Sequence, residues 1–463
     1  MEKEFLGYHS EWNLGSPGGW DYQRMAQEIG RFSWNRIRAA VSGLDIDIDF
    51  DHPMLNPVPP FARMLLRAHK NMFGKERPSI ALIAEEETLE KVGENIHFVE
   101  YLNSIEGVSA YLTSADKLEL KGDAVCYQGN RLTTIFMDFN NRVIVKLKKK
   151  HDMKPLIRAI KKGLVVNPRG MEPVGAKGVF EALTSELKNS ISNTTLKRTP
   201  WTRQLYKRST IGPKGETIPD LLTWVKDNWE RTILKPVHGY SGQGIIIGHK
   251  ESDIEGSLRR ALDAGDYIVQ PLVPMGLWAE EFPWFDKKDK TLSIKRWQTD
   301  FRCFVTDAGP IGFVTRFGGI PTNVGMGGGV QSTAVLRSKI PIPDAIKKIN
   351  DVIIKLGAGF ISQLQEEIDK RSVEIGNVYL LGPLMSTLRP RIITPEHVSQ
   401  IREYGKNLWD DAVMLEKLWL EGKLTKYVQI NKEEEEIARL CPWRGTPALM
   451  AADGLFGFGG DLT

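Results

Sequence analysis

The chain has 463 residues, 41% hydrophobic and 26% charged, with 62 basic against 58 acidic side chains and a net charge of +4. So even a balance argues against a nucleic-acid surface, and no stretch approaches the roughly 18 consecutive apolar residues of a membrane span. Three dispersed cysteines (Cys126, Cys303, Cys441) form no CxxC pair, so neither a zinc nor a disulfide framework is indicated, and a reduced, cytoplasmic setting is expected.

The length suggests two to four lobes. Extended sequence is expected over 5–13, followed by a Gly/Pro loop over 14–19. Glu11 and Asn13, two apart, share one face of such a strand. Their hard oxygens suit Mg²⁺ beside phosphate; an ordinary surface pair is the default reading. Met25, Ile29 and Phe32 recur at helical spacing, predicting a helix over 21–42. The alternating Asp45, Asp47, Asp49 and Asp51 read more simply as a half-exposed strand than as a metal site.

From residue 78 the pattern becomes α/β. Strands are expected at 79–84, 108–112, 118–120, 124–127 and 134–136, with helices over 86–102 and 153–162. The basic run 146–151 reads as a solvated segment. Strand ends of such a three-layer unit can hold a substrate. Lys177 falls where a loop enters a helix, and is open between a phosphate or adenine contact and a capping or solvent-facing role. Residues 181–229 are expected to be polar and helical, interrupted near Pro200 and at 212–215.

Residues 231–248 carry the strongest signal. A strand containing Ile233 and Leu234 delivers Lys235, a loop with Gly239, Gly242 and Gly244 follows, and a second strand is expected at 245–247. Glycines let backbone N–H groups approach an anion, and the lysine adds a point charge for phosphate. No helix follows the glycines, so this is neither a Walker A loop nor a dinucleotide fingerprint. A helix is predicted over 255–264, then an apolar strand from 267 running out through Gln270, Pro271, Leu272 and Val273, as a hinge beside an adenine pocket would. Asp300 and Arg302 share a face of the next strand, whose partner at 311–316 carries Arg316. A glycine-rich loop spans 321–329. Cys303 alternates with Phe301 and reads as core. Trp278, Trp284 and Trp297 either line a pocket or pack. Helices are expected over 344–371 and 396–421, and the segment 447–454 ends the pattern at Asp453 and Gly454.

Lys-Pro-x-x-Gly-x-x-Gly-x-Gly from Lys235, the Val-Gln-Pro-Leu hinge, Asp-x-Arg-x-Phe-Val from Asp300 and the late Gly-Gly-Gly loop, in this order, resemble the ATP-grasp superfamily. Asn167-Pro-Arg-Gly and Gly-x-Lys177-Gly look like its circularly permuted branch, related to glutathionylspermidine synthetase. The resemblance covers 79–337. It implies an α+β fold in which two lobes grip ATP, joined to an α/β substrate domain, and a carboxylate–amine ligase working through an acyl phosphate on a small molecule or peptide. A non-catalytic, regulatory ATP-binding protein is the alternative. The boundaries expected are 1–77 (metal strand and following helix), 78–170 (substrate domain), 171–337 (ATP-grasp lobes) and 338–463 (helices and a closing strand).

The resemblance further implies ATP held by Lys177, Lys235, Gly239, Ser241, Gly242, Gln243, Gly244, Gln270, Leu272 and Val273. Arg302 would serve the transferring phosphoryl group, and Arg316 the substrate carboxylate. ATP-grasp chains place a metal-binding Asp before Glu-x-Asn; downstream of 337 no Glu-x-Asn appears. The Mg²⁺ set implied is therefore Glu11 and Asn13 with Asp453, which requires the strand at 5–13 to adjoin the one at 447–455.

Overall fold

A computed structural model describes residues 5–239, 242–273, 279–319, 322, 324, 327–379 and 382–458. Its organising element is a six-stranded antiparallel sheet. The first strand, Phe5–Asn13, pairs with the last, Met450–Phe458, which pairs in turn with the long central strand Thr291–Thr306. The central strand continues to Gly309–Gly318 and then Gly329–Gln331, while Ala279–Asp286 pairs with its beginning. The expected meeting of the two distant strands is thus present, with Glu11 opposite Asp453 and Asn13 opposite Ala451.

Period-two alternation gives this sheet two unlike faces. Phe304, Val314, Val330 and Ala451 pack with Trp20 and Met25 of the helix Trp20–Ala40. Phe301, Cys303 and Val305 face the other way, into Leu408 and Leu415 of the helix Pro395–Leu420. Each such side chain contributes about 1.5–3 kcal/mol by leaving water, so both faces are firmly covered. Near one end the first face turns polar, and Asp300, Arg302, Arg316 and Asp453 occupy it.

A parallel sheet runs Ser109–Ser114, Ser79–Ala84, Thr134–Met137, extended by a bridge from Ile135 to Val165. Ile80 and Leu82 pack on Phe98 and Leu102 of the helix Gly93–Asn103, and Ala81 and Ile83 on Leu156 and Ile160 of Lys154–Lys161. Helices on both faces are what near-continuous apolar strands require. A four-stranded sheet orders Ile246–Ile247, Thr232–Pro236, Tyr267–Pro271 and Arg203–Gln204, backed by Leu258 and Ala261 of the helix Ile254–Ala264. No helix among the described residues is long and apolar enough to cross a membrane.

Several expectations are corrected. The helix predicted from 86 begins at Gly93, because Glu86–Thr88 closes a separate 3₁₀ turn. The aspartate-rich strand over 45–51 shrinks to Ile48–Asp49, paired with Leu336 and Val335. Residues 181–229 are interrupted near Pro200 and at 212–215 as expected, but hold less helix than expected: the short helices Asn193–Arg198 and Leu221–Asp227 and three two-residue strands. Pro200 and Pro213 remove backbone donors there, and Gly215 turns with φ +84°. The basic run at 146–151 is solvated as expected, with Lys146, Lys148, Lys149, Lys150 and His151 exposed; its first residues close the helix Asn141–Lys148, capped by the Asn140 side chain.

Candidate functional site

Lys235 sits on the strand Thr232–Pro236, only 8% exposed. Burial, then the neighbouring Lys177, push its ammonium down to about 8, with Glu11 pulling the other way. The strand carrying Glu11 bulges at Ser10, where the pairing register shifts between His9 and Glu11. Bulges re-aim backbone groups beside sites; here the Ser10 carbonyl accepts from Lys235 Nζ at 3.5 Å, and Ser10 Oγ donates to the Asp453 carbonyl at 3.2 Å.

Lys177 lies two residues before the helix Val179–Leu183, and its amide donates to the Val237 carbonyl at 3.1 Å. That bond fixes Lys177 beside the lysine strand despite a separation of 60 positions. Its Nζ meets Glu11 Oε2 at 2.8 Å and donates to the Gly239 carbonyl at 2.6 Å. The approach is close: a Cβ on Gly178 would lie 2.1 Å from the Tyr427 carbonyl oxygen. Lys177 is buried, so it does not face solvent.

Arg302 Nε donates to Asp453 Oδ1 at 2.6 Å and its Nη1 to the Gly18 carbonyl at 2.8 Å. Arg316 donates to Asp300 from Nε at 2.8 Å and from Nη2 at 2.7 Å, and reaches Asp453 at 3.4 Å. Burial favours the neutral Asp453 carboxyl, but Arg302 and Arg316 outweigh it and hold the group below its ordinary value. Burial raises Asp300 despite Arg316. For Arg316, burial is overcome by Asp300 and Asp453, and its pKa rises. Four cations (Lys177, Lys235, Arg302, Arg316) thus converge on three carboxylates (Glu11, Asp300, Asp453), leaving one positive charge in excess in a largely water-excluded place. Such a place favours an anion, because a weakly screened charge acts strongly.

The remaining sequence-predicted residues fall less uniformly. Gly242 and Gly244 have φ of +74° and +73°, which glycine alone adopts readily. Gln243 is exposed, and Ser241 lies outside the described residues, as does Trp278. The Gln270 amide is buried and donates to Thr202 Oγ1 at 2.8 Å, so its side chain points inward to structure. The Leu272 amide donates to the Arg231 carbonyl, and Leu272 and Val273 are half-buried beyond the end of their strand. Trp284 and Trp297 pack on each other at 5.1 Å and on Phe317. Asp300 occupies the edge of Arg316 that a substrate carboxylate would use.

Among the described residues no three His, Cys, Asp or Glu side chains stand close enough together to hold a metal ion. The donor chemistry still fits Mg²⁺: Glu11 and Asp453 are cross-strand neighbours, and Asn13 follows Glu11 on the same face, giving two carboxylates and an amide oxygen. Both Asp453 oxygens are held by Arg302 and one Glu11 oxygen by Lys177, so these cations share the donor set. The sequence missed the Gly18 carbonyl on Arg302 and the bulge at Ser10. Their signals were the Gly18-Gly19 pair, and nothing for the bulge.

No family model matches the chain, and no curated protein matches it. Among solved structures, it is similar to a RimK domain protein ATP-grasp from Sphaerobacter thermophilus DSM 20745, at 14% identity over 62% of this chain and 98% of that one, with a TM-score of 0.30. It is similar to a glutathione synthetase-like effector from Globodera pallida, at 12% identity over 69% of each chain and a TM-score of 0.36. A gamma-glutamylcysteine synthetase candidate from Methylobacillus flagellatus KT matches at 11% over 78% of this chain and 99% of that one, with a TM-score of 0.32. The fold of this chain is mixed α+β.

Proposed function

We propose that this chain is an ATP-dependent carboxylate–amine ligase of the circularly permuted ATP-grasp type. The observation that carries the reading is the convergence of Lys177, Lys235, Arg302 and Arg316 on the paired strands bearing Glu11 and Asp453. In the permuted reading, these two strands are the metal-binding hairpin of the family, joined here by pairing and not by a turn.

A carboxylate attacking the γ-phosphate of ATP brings two anions together, so a catalyst must place positive charge where it concentrates. Lys177 and Lys235 bind the α/β-phosphates, exchanging the Gly239 and Ser10 carbonyls for phosphate oxygens. Arg302, oriented by Asp453 and by the Gly18 carbonyl, turns its remaining N–H groups to the transferring phosphoryl group. Arg316, fixed by Asp300, adds a second charge behind it. Mg²⁺ on Glu11 and Asn13, with Asp453, would supply charge neutralisation of the phosphate oxygens. The acyl phosphate so formed then takes an amine nucleophile and releases phosphate.

The test is ADP and phosphate release from Mg²⁺-ATP with a library of amino acids, amines and short peptides as acid and amine. Turnover that requires both an acid and an amine supports the ligase. ATP binding without turnover in any pairing supports the regulatory alternative, and failure to bind ATP overturns both.

A further inference from the structure

The peptide between Gly18 and Gly19 is gripped from both sides. Its carbonyl accepts from Arg302 Nη1 at 2.8 Å, and its N–H donates to the two carboxyl oxygens of Glu94 at 2.9 and 2.8 Å. Glu94 lies in the first turn of the helix Gly93–Asn103, is only 4% exposed, and takes no part in the phosphoryl chemistry. In a trans peptide the N–H and C=O point opposite ways. A carboxyl that draws the N–H to one side therefore aims the carbonyl to the other, at Arg302. Hydrogen bonds linked in such a chain also polarise one another.

The loop has little freedom to do otherwise. Gly19 has φ +105°, and a Cβ there would meet Val314 Cγ1 at 3.3 Å; a Cβ on Gly18 would lie 2.8 Å from Glu94 Oε1. Glycine at both positions lets the backbone pass between Glu94 and the central sheet. Upstream, Asn167 Nδ2 donates to the Gly15 carbonyl at 2.8 Å and Ser16 Oγ to the Phe139 carbonyl at 3.0 Å, tying the loop to the parallel-sheet unit. Among the described residues, Glu94 is the one that grips the peptide bonded to Arg302.

That bond matters to the guanidinium. Asp453 takes Nε and Nη2 along one edge, and such a planar group can still hinge about that edge. The Gly18 carbonyl holds Nη1 on the other side and stops the hinge. A guanidinium has five N–H groups, so among the described residues one remains on each terminal nitrogen of Arg302 for an incoming phosphate. Glu94 also has an ordinary structural task. Its Oε2 accepts from the Asp21 amide at 3.4 Å, so it caps the helix Trp20–Ala40, whose N-cap residue Gly19 has no side chain to do so. The two tasks have different consequences.

We propose that Glu94 is a positioning residue for Arg302, acting through the Gly18–Gly19 peptide to aim the guanidinium at the transferring phosphoryl group. The role rests on the ligase reading. The test is calorimetry of the full chain with Mg²⁺-ADP and with a non-hydrolysable Mg²⁺-ATP analogue, on the wild type, Glu94→Met, Gly18→Ala and Asp21→Asn. Glu94→Met removes both acceptor oxygens at similar side-chain length. Gly18→Ala displaces the far end of the flexible Glu94 side chain without removing it, so it decides the matter if Glu94→Met fails to fold. Asp21→Asn weakens the same helix terminus by loosening the pairs Asp21 makes with Arg24 and His97, and so reads the structural task alone. ADP affinity should stay within about twofold of wild type throughout, while analogue affinity falls about fivefold or more in Glu94→Met and Gly18→Ala and is unchanged in Asp21→Asn. An analogue-to-ADP affinity ratio unchanged in Glu94→Met and Gly18→Ala, or lowered equally in Asp21→Asn, overturns the positioning role and leaves Glu94 a helix cap. A wild type that binds neither nucleotide rejects the ligase reading and the role with it, so the wild type tells the two failures apart.

Discussion

Lys235 is a lysine held uncomfortably, and this can be measured. Its free-state pKa is about 8 against an ordinary 10.5. If ATP phosphate restores the ordinary value, binding must take up protons wherever free Lys235 is partly neutral. At pH 8 about half of the molecules carry it neutral, so binding takes up about 0.5 proton; at pH 6.5 it takes up almost none. Above pH 8, ATP affinity should fall up to about tenfold per pH unit, levelling near 10.5, a total of about 3 kcal/mol at 1.36 kcal/mol per pH unit. Stability moves the other way. A lysine whose folded pKa is depressed leaves the unfolded chain binding more protons between about 8 and 10.5, so stability without nucleotide rises through that window. Lys235→Met should therefore raise the melting temperature near neutral pH while weakening ATP binding. Isothermal calorimetry at pH 8 in buffers of differing ionisation enthalpy reads the proton uptake directly. Zero uptake at pH 8 in the wild type, or uptake that survives in Lys235→Met, would refute the reasoning.

Lys177→Met removes a charge-assisted contact worth about 1.5–3 kcal/mol, and ATP affinity measured by calorimetry should fall roughly 10- to 100-fold. Glu11→Gln should leave ATP affinity largely intact but lower turnover by several kcal/mol of barrier, with a raised Mg²⁺ requirement in the ADP-release assay; a variant with wild-type turnover excludes Glu11 as a ligand. Gly178→Ala sets a Cβ against the Tyr427 carbonyl oxygen at 2.1 Å, and should cost at least about 1–3 kcal/mol in denaturant unfolding; an unchanged midpoint would show that Lys177 is not wedged as described.

Local pattern made much of this legible. The apolar run from Ser79 predicts its strand to the residue because a parallel strand buried on both faces needs continuous hydrophobicity. Asp300 and Arg302 were placed on one face by period two alone, and both face the site. The pairing of Phe5–Asn13 with Met450–Phe458 followed from the family resemblance and from no local signal. What sequence could not give are partnerships set by long-range packing. His9 is such a case: a buried ring between Tyr404 and Thr199, pushed down to about 3 by burial and Arg198, which anchors the strand just before the Ser10 bulge. The run 181–229 breaks near Pro200 and at 212–215 as its composition indicates, but its polar sequence suits helix better than the short pieces it forms between those breaks.

The carboxylates of the site also explain how its cations stay in place before an anion arrives. Four buried or half-buried positive charges without counterions would repel one another and lose hydration with nothing in return. Asp453 and Asp300 hold Arg302 and Arg316 by paired N–H donors in fixed planes, and Glu11 holds Lys177. Such fixed donors need not reorganise when charge develops, which is where electrostatic catalysis gains most. The pairing is incomplete in charge: three anions against four cations leave the site short by one, and Lys235, which among the described residues reaches the Ser10 carbonyl at 3.5 Å, carries the deficit. A site balanced to neutrality would bind a polyphosphate weakly, and one with no carboxylates would not hold its arginines. In the proposed ligase reading, the excess on Lys235 is therefore the feature that would favour a polyphosphate most, and its proton is the first thing an arriving phosphate should change.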